Sequence, residues 1–328
     1  MEVRMKGQGK LCLVLLVAAL LASWGCSNNS PNGSSSGAAE SIKPFLGRWD
    51  LTITTPKEQR PSWLEISDEQ GQPQGLMVGF WAHATPTGKI RLDDGKIEFT
   101  APKGIGYTEG TELEGELEGD QLSGTATDAN GVAWKWTGRR APTLKRDGVP
   151  EWGKPIRLFN GKNFDGWRFS NPKGAPDWKI EHGTLVKDKN SSEIISTSKF
   201  EDFKLHVEFN PGPNSNSGVY LRGRYEVQIA ADSGELPPNR SMGAVYGFLA
   251  PEPAVPPNPG KWQTYDITLV GRTLTVVHDG QTIIDNREIP GITGGALDSD
   301  EGSPGPIYFQ GGEQGQVAFR NIVITPAK

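Results

Sequence analysis

Residues 203–209 alternate without a break: Phe203, Leu205, Val207 and Phe209 are apolar, and Lys204, His206 and Glu208 are polar. A period of two marks a strand with one buried face. The same rule reads residues 219–229 as one strand. Val219, Leu221, Gly223, Tyr225, Val227 and Ile229 point inward, and Tyr220, Arg222, Arg224, Glu226 and Gln228 form a polar row. Two arginines, a glutamate, a glutamine and a tyrosine on one line suit a grip on a polyhydroxylated or anionic ligand. They equally suit a solvated face whose charges pair among themselves. Further short runs at 178–181, 184–186, 194–197, 261–270, 273–278, 282–286, 307–310 and 317–325, with no 3.6-residue period, predict about ten strands folded as a jelly-roll β-sandwich over residues 155–328.

Upstream, short strands are predicted at 48–55, 62–67, 76–81, 89–92, 96–100, 112–118, 121–128 and 132–138. Asp94-Gly95 and Asn130-Gly131 supply hairpin turns. Strands joined this way predict an up-and-down meander closed into a small barrel over residues 45–140. Gly47-Arg48-Trp49 resembles the opening Gly-x-Trp of lipocalin-like barrels, and His83 reads as a surface histidine. Residues 141–154, with prolines, charges and Asp147-Gly148, read as an interdomain linker. The expected class is all-β, a sandwich preceded by a smaller antiparallel barrel-like domain.

Composition agrees with that class: Gly 42 and Pro 25 in 328 residues are what a turn-dense chain needs. A net charge of −5 gives no ground for a nucleic-acid partner or a polybasic membrane patch. Arg4, Lys6 and Lys10 precede an apolar run, 11–22, of signal-peptide length and too short to span a bilayer. Ser23-Trp24-Gly25-Cys26 then resembles a lipobox. The expectation is a signal segment over 1–25, lipidation at Cys26, a polar tether over 26–44 and an extracytoplasmic location in the periplasm or at the outer membrane. The membrane is then met only through the lipid anchor. Cys12 and Cys26 are the two cysteines, so residues 27–328 hold neither a disulfide nor a thiolate metal site.

From residue 155 onward the chain resembles the 3-keto-disaccharide hydrolase family. The landmarks run in order through Leu158-Phe-Asn-Gly-Lys162, Gly166-Trp167, residues 178–185 and 203–209, Asn216-Ser-Gly-Val-Tyr-Leu-Arg-Gly223 and Tyr225-Glu-Val-Gln-Ile229. They continue with Gly243-Ala-Val-Tyr-Gly247, Lys261-Trp-Gln-Thr-Tyr265, Gly305-Pro-Ile307 and Phe319-Arg-Asn-Ile322. The resemblance implies a concanavalin- or laminin-G-like sandwich and cleavage of glycosides already oxidised at C3, with an oxidised oligosaccharide as substrate. One departure stands out. Many members carry a histidine just after the glutamine of the last turn, where this chain reads Gln310-Gly-Gly-Glu-Gln-Gly315.

A ketone at C3 acidifies the C2 hydrogen, so the glycosidic bond can break by elimination. That route needs a base, a group that stabilises the enolate oxygen and a proton for the departing oxygen. Glu226 is the candidate base, with an ion pair to Arg222 or Arg224 as its plain alternative. Arg222 is the candidate for the enolate or for gripping hydroxyls. Glu208 and His206 are candidates for a second acid/base, for substrate contact or for ligands of a divalent ion, which oxygen and imidazole would hold; that ion is the one cofactor the residues suggest. Asn216, Gln228, Tyr246, Trp262 and Gln310 are candidates for sugar binding. Asp298-Ser-Asp-Glu301 is read as a solvated acidic turn in preference to a calcium-holding loop, and His182 and His278 as turn residues without chemistry. Two rivals stay open: a lectin-like binding module, and an ordinary glycosidase with Glu208 and Glu226 as its carboxylates.

Overall fold

The computed structural model describes residues 42–103, 110–171, 178–231, 234–312 and 314–328. The expected signal segment, Cys26 and nearly all of the tether lie outside them. Among the described residues the regular elements are strands, apart from two 3-10 turns at Lys43–Phe45 and Pro238–Arg240. No helix among the described residues is long and apolar enough to cross a membrane.

The strands from Gly47–Thr54 to Ala133–Arg140 form one nine-stranded antiparallel meander in which the first strand also pairs with the last, Trp49 opposite Arg140. Its end strands, Thr85–Pro86 and Arg91–Asp93, are consecutive in the chain. The link between them stitches the sheet shut. Thr87 N–H donates to Gly75 O and Gly88 N–H to Thr100 O, both at 2.9 Å. The alternating side chains Trp49, Leu51, Ile53, Leu64, Ile66, Ile97, Phe99 and Trp136 fill the interior. Trp49 donates to Phe45 O at 2.8 Å, with the Arg140 guanidinium 3.9 Å over its ring. Asp94 and Gly95 both take the positive φ a type I′ turn requires. At Asn130-Gly131 only the glycine does, because the Asp128 carboxylate accepts the N–H groups of Asn130 and Val132 and holds a wider loop.

The remaining strands make a sandwich. An eight-stranded sheet centres on Phe203–Pro211, flanked by Gln263–Val270 and Val317–Pro326. A five-stranded sheet runs Trp167–Phe169, Ile194–Phe200, Gly305–Phe309, Asn216–Leu221, Tyr225–Ala230. Phe203, Leu205, Val207 and Phe209 of the large sheet meet Val219, Val227, Ile229 and Phe309 of the small one in a single core.

Residues 219–229 are not one strand but a hairpin. Arg222 (φ 51°) and Gly223 (φ 71°) turn the chain, and Arg224 N–H closes the turn on Leu221 O at 3.0 Å. Arg-Gly-Arg lacks the Asn-Gly or Asp-Gly signature, and a left-handed arginine costs of order 1–2 kcal/mol. Burial and two hydrogen bonds hold it there: Arg222 Nη2 donates to Tyr225 Oη (3.1 Å) and Gly271 O (2.9 Å).

The barrel and the sandwich share their interior. Trp63 and Val78 face out of the barrel and belong to the sandwich core, with Trp63 edge-on to Phe248 at 5.3 Å. A Cβ on Gly291 would come within 2.5 Å of the Trp63 indole, so that backbone runs directly against the ring. A buried ionic group lies at the same junction. Glu301 accepts from Tyr225 Oη (2.7 Å) and Arg272 Nη1 (3.1 Å). Asp50 of the barrel sits beside it. Burial first, and then the Glu301 charge, push the Asp50 carboxyl up to about 9. The acidic loop is therefore not a solvated turn throughout. Glu301 is fully buried, while Asp298 pairs with Arg224 and Asp300 with Arg139.

Candidate functional site

The hairpin puts Tyr220 directly opposite Glu226 and Gly218 opposite Gln228. The Tyr220, Glu226 and Gln228 side chains point away from the sandwich core, and residues 293–295, backed by the barrel's Trp81 and Ala82, lie against Tyr220 and Glu226. Glu226 is 2 % exposed, and burial pushes its carboxyl up to about 8, against a lowering hydrogen bond from Tyr220. The Tyr220 hydroxyl has two acceptors, Glu226 Oε2 at 2.9 Å and Gly294 O at 2.6 Å, and a single proton to give. With Glu226 ionised, that proton serves the carboxylate. With Glu226 neutral, Tyr220 donates to Gly294 O and accepts from the acid. Tyr220 itself stays protonated, because burial and the nearby Glu226 raise it well above the ordinary tyrosine range. Tyr308 stacks on it at 3.9 Å and is tied to Gly295 O.

Above this pair opens a cavity of about 530 Å³, lined in part by Asn216, Glu226, Gln228, Tyr246 and Gln310. Glu226 Oε1, Gln228 Oε1 and Gln310 Oε1 are buried and have no partner. Buried acceptors are normally satisfied, so three unsatisfied ones on one cavity mark a place that receives hydroxyl donors. Tyr246 is raised by burial and by the Glu226 charge and lowered by Arg240.

Five expected site residues, Asn216, Glu226, Gln228, Tyr246 and Gln310, thus converge. The other four are not brought there. Arg222 lies in the hairpin turn, bound to Tyr225 and Gly271, because the turn breaks the straight polar row the alternation suggests. Glu208, His206 and Trp262 belong to the large sheet's side of the molecule. Glu208 is tied to Arg320 (2.6 Å) and Asn321 (3.0 Å), which hold it below the ordinary carboxylate range despite some burial. His206 Nδ1 bonds Asp266 at 2.7 Å, and Trp262 carries the Arg320 guanidinium at 3.9 Å. The Glu208–Glu226 glycosidase pair is therefore ruled out by placement. No cluster of three or more His, Cys, Asp or Glu that could hold a metal occurs among the described residues.

Several residues had no sequence signal. Lys187 is fully buried, donating to Asn216 O (2.9 Å), Gln314 O (2.8 Å) and Gly315 O (3.3 Å), and desolvation lowers it to about 8. It pins one wall of the cavity from below. Trp81 and Glu193 also line the cavity. His83 is not a plain surface residue. It packs edge-on to Tyr246 (6.4 Å), lies 3.5 Å from Arg240 and is lowered by burial and by that charge.

Gly218 is the close-approach glycine of the site: a Cβ there would stand 2.7 Å from Glu226 Cγ. Gly218→Ala is expected to displace the carboxylate and to lower turnover on the order of 10²-fold with the fold intact. Steady-state rates beside circular dichroism check this.

Residues 154–325 match the family model of the 3-keto-alpha-glucoside-1,2-lyase-like domain. A 3-keto-disaccharide hydrolase of Bacteroides thetaiotaomicron is 31% identical over 75 residues, 20% of this chain and 26% of the relative. The chain thus spans about a quarter of that curated relative. A Parabacteroides distasonis protein assigned as a glycosyl hydrolase, solved at 2.13 Å, is 26% identical with a TM-score of 0.45, covering 56% of this chain and 93% of its own. The Bacillus licheniformis β-glucanase is 14% identical with a TM-score of 0.34, covering 56% and 100%.

Proposed function

This chain belongs to the 3-keto-alpha-glucoside-1,2-lyase-like family, and on that premise we propose that it cleaves 3-keto-glycosides by elimination across C1–C2 followed by hydration. The observation that carries the reading is Glu226, a buried carboxyl raised to about 8, with one oxygen free of protein partners and facing the cavity. A base works best when its pKa lies near the operating pH.

The Glu226 carboxylate takes the C2 proton, and the C1–O bond breaks as the C1=C2 bond forms. The Gln228 and Gln310 amides face the same cavity and are the donors for the enolate oxygen in place of Arg222. Tyr246 gives the departing oxygen its proton. Water then adds to C1, conjugate to the ketone, and gives its proton back to Tyr246, while Glu226 returns its proton to C2, so both groups are restored and the net reaction is hydrolysis. Tyr220 follows each change by turning its proton between the carboxylate and Gly294 O.

The test is incubation of the protein with paired disaccharides, one native and one oxidised at C3. Cleavage of the oxidised member alone is expected. If both stay intact, the lectin-like reading takes its place. If the native sugar is cut and Glu193→Gln stops it, a two-carboxylate glycosidase does, since Glu193 shares the cavity with Glu226.

A further inference from the structure

The 3-keto-glucoside lyase-like match begins at residue 154, yet one wall of the cavity comes from the barrel. Trp81 is 58 % exposed. It is held in place from below: Gly295 N–H donates to Phe80 O at 2.7 Å, and a Cβ on Gly294 would lie 2.7 Å from Ala82 N. A Cβ on Gly295 would lie 3.1 Å from both Trp81 Cζ3 and Tyr220 Cζ. The indole therefore stands next to the Tyr220–Glu226 pair, separated from it by one glycine backbone.

Trp81 also lines two further concavities that continue outward from the Glu226 cavity. One, of about 230 Å³, adds Glu58, Arg60, Phe80 and Ser170; the other, of about 370 Å³, adds Trp134. Glu193 is shared by the Glu226 cavity and the first of these. Trp81 is common to all three, so the indole stands where they meet. An exposed indole attracts a flat ring face, and Glu193 and Arg60 at the edges suit hydroxyl groups.

We propose that the barrel supplies a leaving-group subsite: Trp81 stacks on the ring attached to the departing oxygen while the oxidised sugar sits over Glu226. This rests on the elimination reading above. The ligand chemistry is a leaving group with a flat ring face, either a pyranose or an aromatic ring.

The test compares kcat/KM of wild type, Trp81→Ala and Trp81→Phe on 3-keto-glucosides whose leaving groups are methanol, glucose and phenol. Trp81→Ala is expected to lower the ratio of glucose or phenol substrate to methyl substrate about tenfold, with Trp81→Phe restoring most of it. Loss confined to the glucose substrate assigns a pyranose, and loss confined to the phenyl substrate an aromatic ring. Equal losses on all three overturn the subsite and make Trp81 a packing residue. If wild type cuts none of them, the elimination reading has failed by itself. Calorimetric binding of an unoxidised disaccharide and a phenyl glucoside to wild type and Trp81→Ala then decides the subsite: weaker binding in the variant supports it, and equal affinity or no binding to either protein overturns it.

Discussion

Glu226→Gln is expected to lower turnover of a 3-keto-disaccharide about 10³-fold while the ligand still binds. The amide keeps the shape of the side chain and loses the capacity to take a proton from C2. Calorimetric titration beside kinetics checks the pair of outcomes, and an unaltered rate would remove Glu226 from the chemistry. The pH profile carries the same information. A base raised to about 8 is ionised only above that value, so kcat/KM climbs with pH below about 8 and levels off above it. Stability moves the other way. The folded chain holds this proton up to about 8, whereas an unburied glutamate releases it near 4.5. The folded state binds more protons between those values, so the contribution is fully present below 4.5 and is lost as the pH rises toward 8. The difference in melting midpoint, wild type minus Glu226→Gln, is expected to shrink steadily from pH 5 to pH 8. A constant difference would mean that Glu226 is ionised throughout.

The largest loss of stability is expected at Glu301, far from that chemistry. Glu301→Ala should cost about 3–5 kcal/mol in a urea titration. Glu301 is the acceptor for Tyr225 Oη and for Arg272, and Arg222 bonds the same Tyr225 hydroxyl. Without it, the buried Arg272 keeps only the exposed Glu288 at 3.5 Å, and the Tyr225 hydroxyl that Arg222 bonds loses its acceptor, with Arg222 Nε and Nη1 already lacking partners. Asp50→Asn is expected to cost far less, because its carboxyl, raised to about 9, is neutral at pH 7 and the amide reproduces it. In the double variant the loss exceeds the sum, since Asp50 can ionise to face Arg272 once Glu301 is gone. Additive losses would show that Asp50 does not take over the place of Glu301 beside Arg272.

Much of this molecule was legible in its alternation. Phe203 to Phe209 and the barrel strands away from the junction follow the period-two pattern closely, because each has one face on a core and the other outside it. The pattern failed at Arg222-Gly223, and for a physical reason. A tight turn keeps even residues opposite even ones, as in Tyr220 facing Glu226, so the parity survives while the strand does not. Glu226 and Gln228 stand out on the polar row and again among the family's landmarks, and Gln310 at the turn where this chain departs from the family pattern. Arg222 was misplaced by the missed turn, and Glu208 by an assumed pairing between strands that belong to different sheets. Lys187, Trp81 and His83 left no trace in the local pattern. Their roles come from contacts with segments far along the chain, and no period records those.

The shared interior around Trp63 separates two units that are often treated as one. Sequence likeness begins at residue 154, but the barrel's Trp63 and Val78 are packed among the residues of the matched region, and Phe80 O fixes the loop that carries Gly294 and Gly295. What is inherited as a family module is therefore not what folds as a module. A segment cut at the family boundary would leave a hollow where an indole belongs and would free the carbonyl on which Tyr220 parks its proton.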